Sequence, residues 1–271
     1  MASAEQVESS GVVEAPSAWG LSLPKRELLP MLAAVERVAS RDASRPALCS
    51  VHFEGDGERV RLVATDGHRL QVACVAQDMG LRTPFAFTLP RASLARIRGQ
   101  AKTVRAHARV SIALHDDRVL VQSGSSDACE LPRIDGEYPA WRMVLPREGE
   151  TLRTASIFPG FLLRHLDRFA ALWRVSESER LYLAIQSESA DAVMLRCGSG
   201  DGFSAQASLP WEAHPFAEPT GFAPGYLADA VRYVSEKCPN EPVKVHIRDA
   251  KSPLYLGDID DRLAVVMPAR L

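Results

Sequence analysis

Cysteine is scarce and scattered in this chain of 271 residues. No two cysteines form a C-x-x-C pair, and their number is odd. A disulfide framework and a cysteine-rich zinc site are therefore both disfavoured, and a reducing compartment is predicted. The five cysteines are Cys49, Cys74, Cys129, Cys197 and Cys238.

Long apolar runs are absent as well. No stretch approaches the roughly 20 apolar residues that a membrane-spanning helix needs. Residues 1–20 contain neither Lys nor Arg and have no apolar segment of the kind that a secretory signal requires. We therefore expect a soluble, cytoplasmic protein without a membrane partner. Residues 1–19 are rich in Ser, Ala and Glu without periodicity, which predicts a disordered tail.

Neither sign of charge is in excess over the whole chain. The 32 basic and 34 acidic side chains give a net charge of −2, which is ordinary for a globular protein. Locally, however, residues 81–110 contain seven basic side chains and no acidic one. Such a stretch can attract a phosphate backbone, although its charge alone is equally compatible with a solvated helix face.

A fourfold repeat organises the rest of the sequence. An apolar approach, a proline and a helical pattern recur at Pro24, Pro90, Pro159 and Pro224, with spacings of 66, 69 and 65 residues. Proline is favoured in the first turn of a helix because its missing N–H would be unpaired there. Each unit therefore predicts a strand, then a helix of about 10–14 residues, then further strands.

Short alternating or β-branched runs supply those further strands. Turn residues separate them, as at Gly55-Asp56-Gly57, and this pattern is typical of antiparallel hairpins. We predict an α+β fold of four βαβββ units, with helices on one face of antiparallel sheets. Two units make each of two domains, 20–148 and 149–271. The predicted strands span residues 59–65, 71–76, 109–115, 118–124, 180–186, 192–198 and 243–249.

Basic residues lie on the four predicted helices or beside them. If the helices line one surface, these side chains would meet DNA phosphates without reading bases. Ordinary exposed helix faces remain the alternative. The basic residues of this candidate surface are Lys25, Arg26, Arg37, Arg45, Arg91, Arg96, Arg98, Arg164, Arg168 and Arg232.

The segment Ala64–Leu70 carries the most distinctive polar motif. Its Asp66-Gly67 pair between two apolar runs is a hairpin signal. Asp66 and His68 could instead form the acid/base pair of an enzyme such as a nuclease. No nucleophile lies nearby in the sequence, and no second carboxylate cluster suggests a metal. We therefore predict no catalytic residue, no cofactor and no metal site.

Four motifs resemble segments of one known family, in the same order. Residues 64–70 (ATDGHRL) resemble the ATDGHRLA signature of the bacterial DNA polymerase III beta subunit, the sliding clamp. Residues 138–146 (YPAWRMVLP), 221–227 (GFAPGYL) and 265–271 (VVMPARL) resemble three further segments. The resemblance covers residues 20–271. It implies two domains of the DNA-clamp (processivity) fold, similar to the family's second and third domains, without the first of its usual three.

The resemblance also implies a function without catalysis. Members of the family tether polymerase to duplex DNA, which they bind non-specifically. A hydrophobic cleft between the second and third domains takes short peptides, rich in Leu and Phe, from polymerases, the clamp loader and repair proteins. The residues implied for this cleft are Leu48, Thr65, Gly67, His68, Arg69, Leu70, Pro139, Val144, Tyr226, Val265, Val266, Met267, Pro268 and Arg270.

Two assemblies are compatible with this resemblance. The family's ring has six domains, so three chains of two domains would complete it as a homotrimer. The alternative is a monomeric adaptor or inhibitor that binds polymerase peptides without encircling DNA. Met143 and Ala223 stand where the family commonly has Arg and Asn, so the rim of the implied cleft departs from the family pattern.

Overall fold

Four α-helices recur along the chain at near-regular intervals. In the computed structural model they span Lys25–Val38 (α1), Ser93–Lys102 (α2), Pro159–Val175 (α3) and Pro224–Ser235 (α4), and a short 3-10 helix spans Trp141–Val144. The predicted N-terminal tail lies outside the described residues. The structure describes residues 20–76, 84–115, 118–147, 149–175, 182–189, 192–198, 204–210, 212–213 and 220–269.

Strands fill most of the sequence between these helices. Their order gives four successive βαβββ units, with one short extra strand (β13) in the third, so the predicted fourfold repeat is confirmed. The strands are β1 Leu21–Pro24, β2 Ser50–Gly55, β3 Arg59–Thr65, β4 Arg69–Ala76, β5 Phe85–Pro90, β6 Arg109–His115, β7 Arg118–Ser123, β8 Cys129–Pro132, β9 Arg153–Ile157, β10 Tyr182–Ser189, β11 Ala192–Gly198, β12 Ser204–Pro210, β13 Glu212–Ala213, β14 Thr220–Phe222, β15 Val243–Ile247, β16 Leu254–Gly257 and β17 Arg262–Val266.

The four prolines mark the helix starts less uniformly than predicted. Pro159 and Pro224 are the first residues of their helices. Pro24 instead ends β1, with an extended ψ of 138°, and α1 begins at the next residue. Pro90 ends β5, and α2 begins three residues later. Proline fixes φ but leaves ψ free to stay extended, so the same residue type serves at a strand end and in a helical first turn.

The first strand of each unit pairs with the strands of the neighbouring unit. In the N-terminal half β1 joins β6, and β5 joins β2; in the C-terminal half β14 joins β10, and β9 joins β15. Each half is thus built from two units that exchange first strands. The predicted domain division at residue 148 falls between the 3-10 helix and β9, and it stays a prediction.

A nine-stranded sheet runs through both halves of the chain. Its order is β13-β9-β15-β16-β17-β4-β3-β2-β5, so β17 and β4 form the junction between the halves. In this junction Leu70 lies opposite Val265, and Arg69 lies opposite Val266. The described strand pairs are antiparallel, which agrees with the predicted α+β fold of helices on antiparallel sheets.

The two faces of the nine-stranded sheet are packed differently. Helices α1 and α4 cover one face, where small side chains such as Ala64, Ala73 and Ala264 are almost fully buried and let the helices approach closely. The opposite face, called the outer face below, carries Leu70 and Val265. Among the helices that the structure describes, none is long and apolar enough to cross a membrane.

Candidate functional site

The turn between β3 and β4 is held by its own side chains. The Thr65 hydroxyl donates to the carbonyl of Arg69 at 2.7 Å and accepts from the Gly67 N–H at 3.0 Å. Gly67 has φ of +92°, which favours glycine because other residues are strained there. This local chemistry explains why the A-T-D-G-H-R-L sequence forms a tight hairpin.

Asp66 completes the same turn. One carboxylate oxygen accepts from the backbone N–H groups of His68 and Arg69 at 2.9 and 3.1 Å, and the other accepts from Arg69 Nε at 3.0 Å. These contacts account for both oxygens of the carboxylate. They favour the interpretation of Asp66 as a turn residue over its interpretation as an acid/base partner of His68.

Three segments that are far apart in the sequence converge at this turn. The Met267 N–H donates to the His68 carbonyl at 2.9 Å, which extends the β17–β4 pairing beyond the strand end. The His68 ring stacks on Tyr226 at 6.3 Å between centroids, and the Arg69 guanidinium lies 4.4 Å from the centre of the same ring. The Ala269 N–H donates to the Gly221 carbonyl at 2.8 Å. The turn, the start of α4 and the C-terminal segment therefore form one site.

An apolar cluster underlies the site on the outer face. Leu70 and Val265 are side by side in the junction and pack with the buried indole of Trp141. Val144 packs against this cluster, and its carbonyl accepts from the Tyr255 hydroxyl at 2.9 Å. Residues 138–145, part of the segment 138–146 that the sequence singled out, thus cover the junction between the two halves.

The remaining predicted cleft residues are placed less uniformly. Leu48 borders the turn, because a Cβ added at Gly67 would lie 3.8 Å from Leu48 Cδ1. Pro139 lines an outer-face cavity that also contains Trp141. Val266 is fully buried on the helix-covered face, so its side chain is not open to a ligand. Met267 and Pro268 are half-buried, and Arg270 lies outside the described residues.

Arg69 has partners that the sequence did not reveal. Besides Asp66, its guanidinium donates to the carboxylate of Asp229 in α4 at 2.7 Å and to the carbonyl of Arg37 in α1 at 3.3 Å. These partners are 160 and 32 residues away, so no local pattern could have found them. Arg69 therefore connects the site to a helix of each half.

A carboxylate network secures the 138–145 segment. Glu54 accepts from Arg142 at 3.0 Å, and His52 Nε2 lies 3.5 Å from the same carboxylate. Burial raises the pKa of Glu54, but hydrogen bonds from His52 and Arg142 outweigh burial and lower the pKa to about 2. The His52 ring also stacks on Tyr138 at 5.0 Å. The segment is thus attached to β2 by charge-assisted and aromatic contacts.

Ion pairs and hydrogen bonds link the four helices in series, and these helices together are called the helix layer below. Arg98 of α2 pairs with Glu36 of α1, and Arg232 of α4 pairs with Asp167 of α3. With the Arg69 contacts, these pairs give the spatial order α2-α1-α4-α3.

The predicted DNA-facing residues fall into two groups, those that form an ion pair with a carboxylate and those that do not. Some have carboxylate partners, namely Arg26, Arg45, Arg98 and Arg232. Arg45 also lies at the turn, since its Nη1 would be 3.5 Å from a Cβ at Gly67. The others form no ion pair with another described residue, and they are Lys25, Arg37, Arg91, Arg96, Arg164 and Arg168.

The chain is similar in sequence to known bacterial sliding clamps. Residues 22–140 match the family model described as DNA polymerase III beta subunit, central domain. The beta sliding clamp of Synechocystis sp. is 24% identical over 247 residues, which cover 86% of this chain and 61% of that protein. The beta sliding clamp of Escherichia coli K12 is 25% identical, with coverage of 92% and 65%. The chain therefore spans about six tenths of the length of these relatives.

Solved structures share the fold across almost all of the chain. The DNA polymerase III beta subunit of Pseudomonas aeruginosa superposes with a TM-score of 0.82 at 22% identity, covering 97% of this chain and 69% of that one. The beta subunit of Thermotoga maritima gives 0.83 at 20% identity, with the same coverage.

The chain thus has the fold of the DNA clamps. Among the DNA clamps, the central-domain match and the curated relatives confirm its resemblance to the DNA polymerase III beta-subunit, or sliding-clamp, family.

Proposed function

We propose that this chain is a non-catalytic, clamp-like processivity factor in the cytoplasm that holds partner proteins on duplex DNA. The observation that carries the proposal is the convergence of the 65–70 turn, Tyr226 and Met267 at the junction of the two halves. These are the segments whose sequences resemble the clamp family's peptide cleft. The relatives named beta sliding clamps support the same function.

The site suits a short peptide with apolar anchors. Half-buried Met267, Pro268 and Tyr226 offer apolar surface beside a polar rim of His68 and Arg69. Methionine adapts its shape to different apolar ligands, and grooves of this kind take peptides through a few anchors. Two buried anchors at about 1.5–3 kcal/mol each supply about 3–6 of the roughly 8 kcal/mol of a micromolar complex, which keeps binding exchangeable, as a shared platform needs. Polymerase, clamp-loader and repair proteins carrying Leu- and Phe-rich peptides are the proposed partners.

Peptide binding tests this part of the proposal. A fluorescent Leu/Phe-rich peptide titrated with the full chain should bind, and Tyr226→Ala should weaken binding by about tenfold or more because it removes an anchor surface of 1.5–3 kcal/mol. Truncation of residues 267–271 should abolish binding. Leu114→Ala is the matched control, since Leu114 is exposed on β6 in a different sheet. Equal affinity of all these proteins would refute the cleft assignment.

The helix layer is the proposed DNA-facing surface. Its basic side chains without carboxylate partners among the described residues, such as Lys25, Arg37 and Arg168, suit phosphates rather than bases. A protein held by phosphate contacts alone should leave DNA as salt rises. A closed ring should instead remain on nicked circular DNA in high salt and slide off after linearisation. Loss from both templates at the same salt concentration would refute topological tethering.

Self-assembly is the proposed route to a ring. β4 and β17, the last strands of the first and fourth units, pair to join the halves. The last strands of the second and third units, β8 and β12, lie at sheet edges. Because exposed edges are templates for pairing, β12 of one copy can pair with β8 of the next. Three copies would supply six clamp domains.

Solution mass distinguishes the ring from the adaptor. Light scattering over a concentration series should show a species of three times 29.6 kDa, about 89 kDa. A monomer at every concentration would refute self-assembly. It would leave peptide binding without encirclement of DNA, the function of an adaptor or inhibitor.

A further inference from the structure

Two phenylalanines at the start of α3 are left open to solvent. Four large apolar side chains are exposed among the described residues, and two of them are Phe158 and Phe161, at 49% and 44%. Their rings meet edge-to-face, with centroids 6.4 Å apart and planes at 79°. The two rings thus form one contiguous aromatic patch that a ligand can cover.

Two arginines follow this patch along α3. The Arg164 guanidinium lies 5.9 Å from the centre of the Phe161 ring, and Arg168 follows one helical turn later on the same side of α3. The nearby carboxylate of Asp167 pairs with Arg232. No carboxylate among the described residues pairs with Arg164 or Arg168. Burial lowers the pKa of His165, and the positive charges of Arg168 and Arg164 lower it further, so both cations act at this surface.

We propose that Phe158, Phe161 and Arg164 form a stacking platform for unpaired bases of single-stranded DNA. Aromatic faces beside cations bind single strands without sequence preference, because every base has a π-face and every nucleotide a phosphate. The bases of an intact duplex are stacked on each other and cannot use such a platform. The proposal rests on the DNA-facing role of the helix layer proposed above and adds a preference for single strands at α3.

The charge of the patch favours a nucleic acid over a protein surface. An apolar protein partner could cover the two rings. Its apolar atoms could not form ion pairs or hydrogen bonds with the neighbouring arginines. A strand of DNA satisfies both features at once, since bases cover the rings and phosphates lie near Arg164 and Arg168. Charge complementarity therefore selects the occupant.

Fluorescence anisotropy with two labelled DNAs tests the platform on the full chain. One probe is an oligo-dT of about 15 nucleotides, within the range that single-strand sites cover, and the other is a hairpin duplex of similar charge. Phe161→Ala should weaken oligo-dT binding by at least about fivefold, the lower bound for one stacked base. Phe161→Leu should weaken it similarly, because leucine keeps the apolar bulk but lacks a flat face. Duplex affinity should change by less than twofold in both variants.

Other outcomes overturn the proposal. If Phe161→Leu binds oligo-dT like the parent chain, stacking is absent. If Phe161→Ala leaves oligo-dT binding unchanged but lowers the mass measured by sedimentation, the patch is an interface between copies of this chain. Exposed positions seldom affect folding, and circular dichroism melting checks this for each variant. Intact peptide and duplex binding in the same variants would show that the proposed function stands even where the platform fails.

Discussion

Arg69 is the side chain whose loss should damage the junction most. It is only 15% exposed and contacts Asp66, Asp229, the Arg37 carbonyl and the Tyr226 ring. The change Arg69→Met keeps the apolar stem and removes the charge together with its hydrogen bonds. The fall in the free energy of unfolding therefore measures the contacts of the guanidinium rather than the packing of the apolar part of the side chain.

The expected cost follows from these contacts. A hydrogen bond to the mostly buried carboxylate of Asp66 is worth about 1.5–3 kcal/mol. The pair with Asp229, which is 43% exposed, adds about 0.2–1 kcal/mol, and the contact with the Tyr226 ring adds about 0.5–1 kcal/mol. The free energy of unfolding should fall by about 2–5 kcal/mol in total. For a chain of this size that corresponds to roughly 4–20 °C in Tm.

Calorimetry and urea unfolding measure this loss. The matched control is Arg248→Met, because Arg248 pairs with Glu150 and Asp249 but is 54% exposed, so its pairs should contribute less than about 1 kcal/mol. A double-mutant cycle between Arg69→Met and Asp229→Asn isolates the contact between the halves. If Arg69→Met costs no more than Arg248→Met, the reasoning that Arg69 joins the two halves is wrong.

Two further predictions concern the outer face and the turn. Glu54→Gln should lower the free energy of unfolding at pH 7 by about 1.5–3 kcal/mol. Because the folded-state pKa is lowered from 4.5 to about 2, this stabilisation is full above pH 4.5 and is lost as pH falls towards 2. Urea unfolding of both proteins should therefore show a smaller difference at pH 3, and a constant difference would contradict the ionised Glu54–Arg142 pair. Gly67→Ala should destabilise by about 1–2 kcal/mol, since φ is +92° there. Gly99→Ala, in open space within α2, should instead stabilise by about 0.5–1 kcal/mol, and thermal melting that ranks the two variants in the opposite order would contradict the turn geometry.

Local patterns predicted the elements of this fold well. The runs 59–65 and 109–115 are strands with those bounds, and the helices follow the four prolines. Helix α3 is 17 residues long rather than 10–14, because its pattern continues without a stop signal. Periodicity and turn residues are properties of neighbouring residues, which is why one sequence suffices for them.

Long-range pairing could not be predicted in this way. Nothing in β4 or β17 alone indicates that Leu70 faces Val265 across almost two hundred residues of sequence. The same holds for the exchange of first strands, and for the pairing of Arg98 in α2 with Glu36 in α1. Likewise, Val266 reads as one member of an apolar motif, yet strand alternation directs its side chain to the helix-covered face. The family resemblance predicted that the motifs converge. The pairing of β4 with β17 is the physical reason that they do.

The candidate cleft lies on the junction between the two halves and is built from residues of both. The 65–70 turn comes from the N-terminal half, whereas Tyr226 and Met267 come from the C-terminal half, and the Met267–His68 hydrogen bond continues the strand pairing that joins the halves. A shift between the halves would therefore displace one wall of the cleft against the other. Three features oppose such a shift. They are the close packing of α1 and α4 on small side chains, the contacts of Arg69, and the 138–145 segment over the junction. A peptide site at this position would rest on one continuous sheet, and both halves would have to fold together to form it.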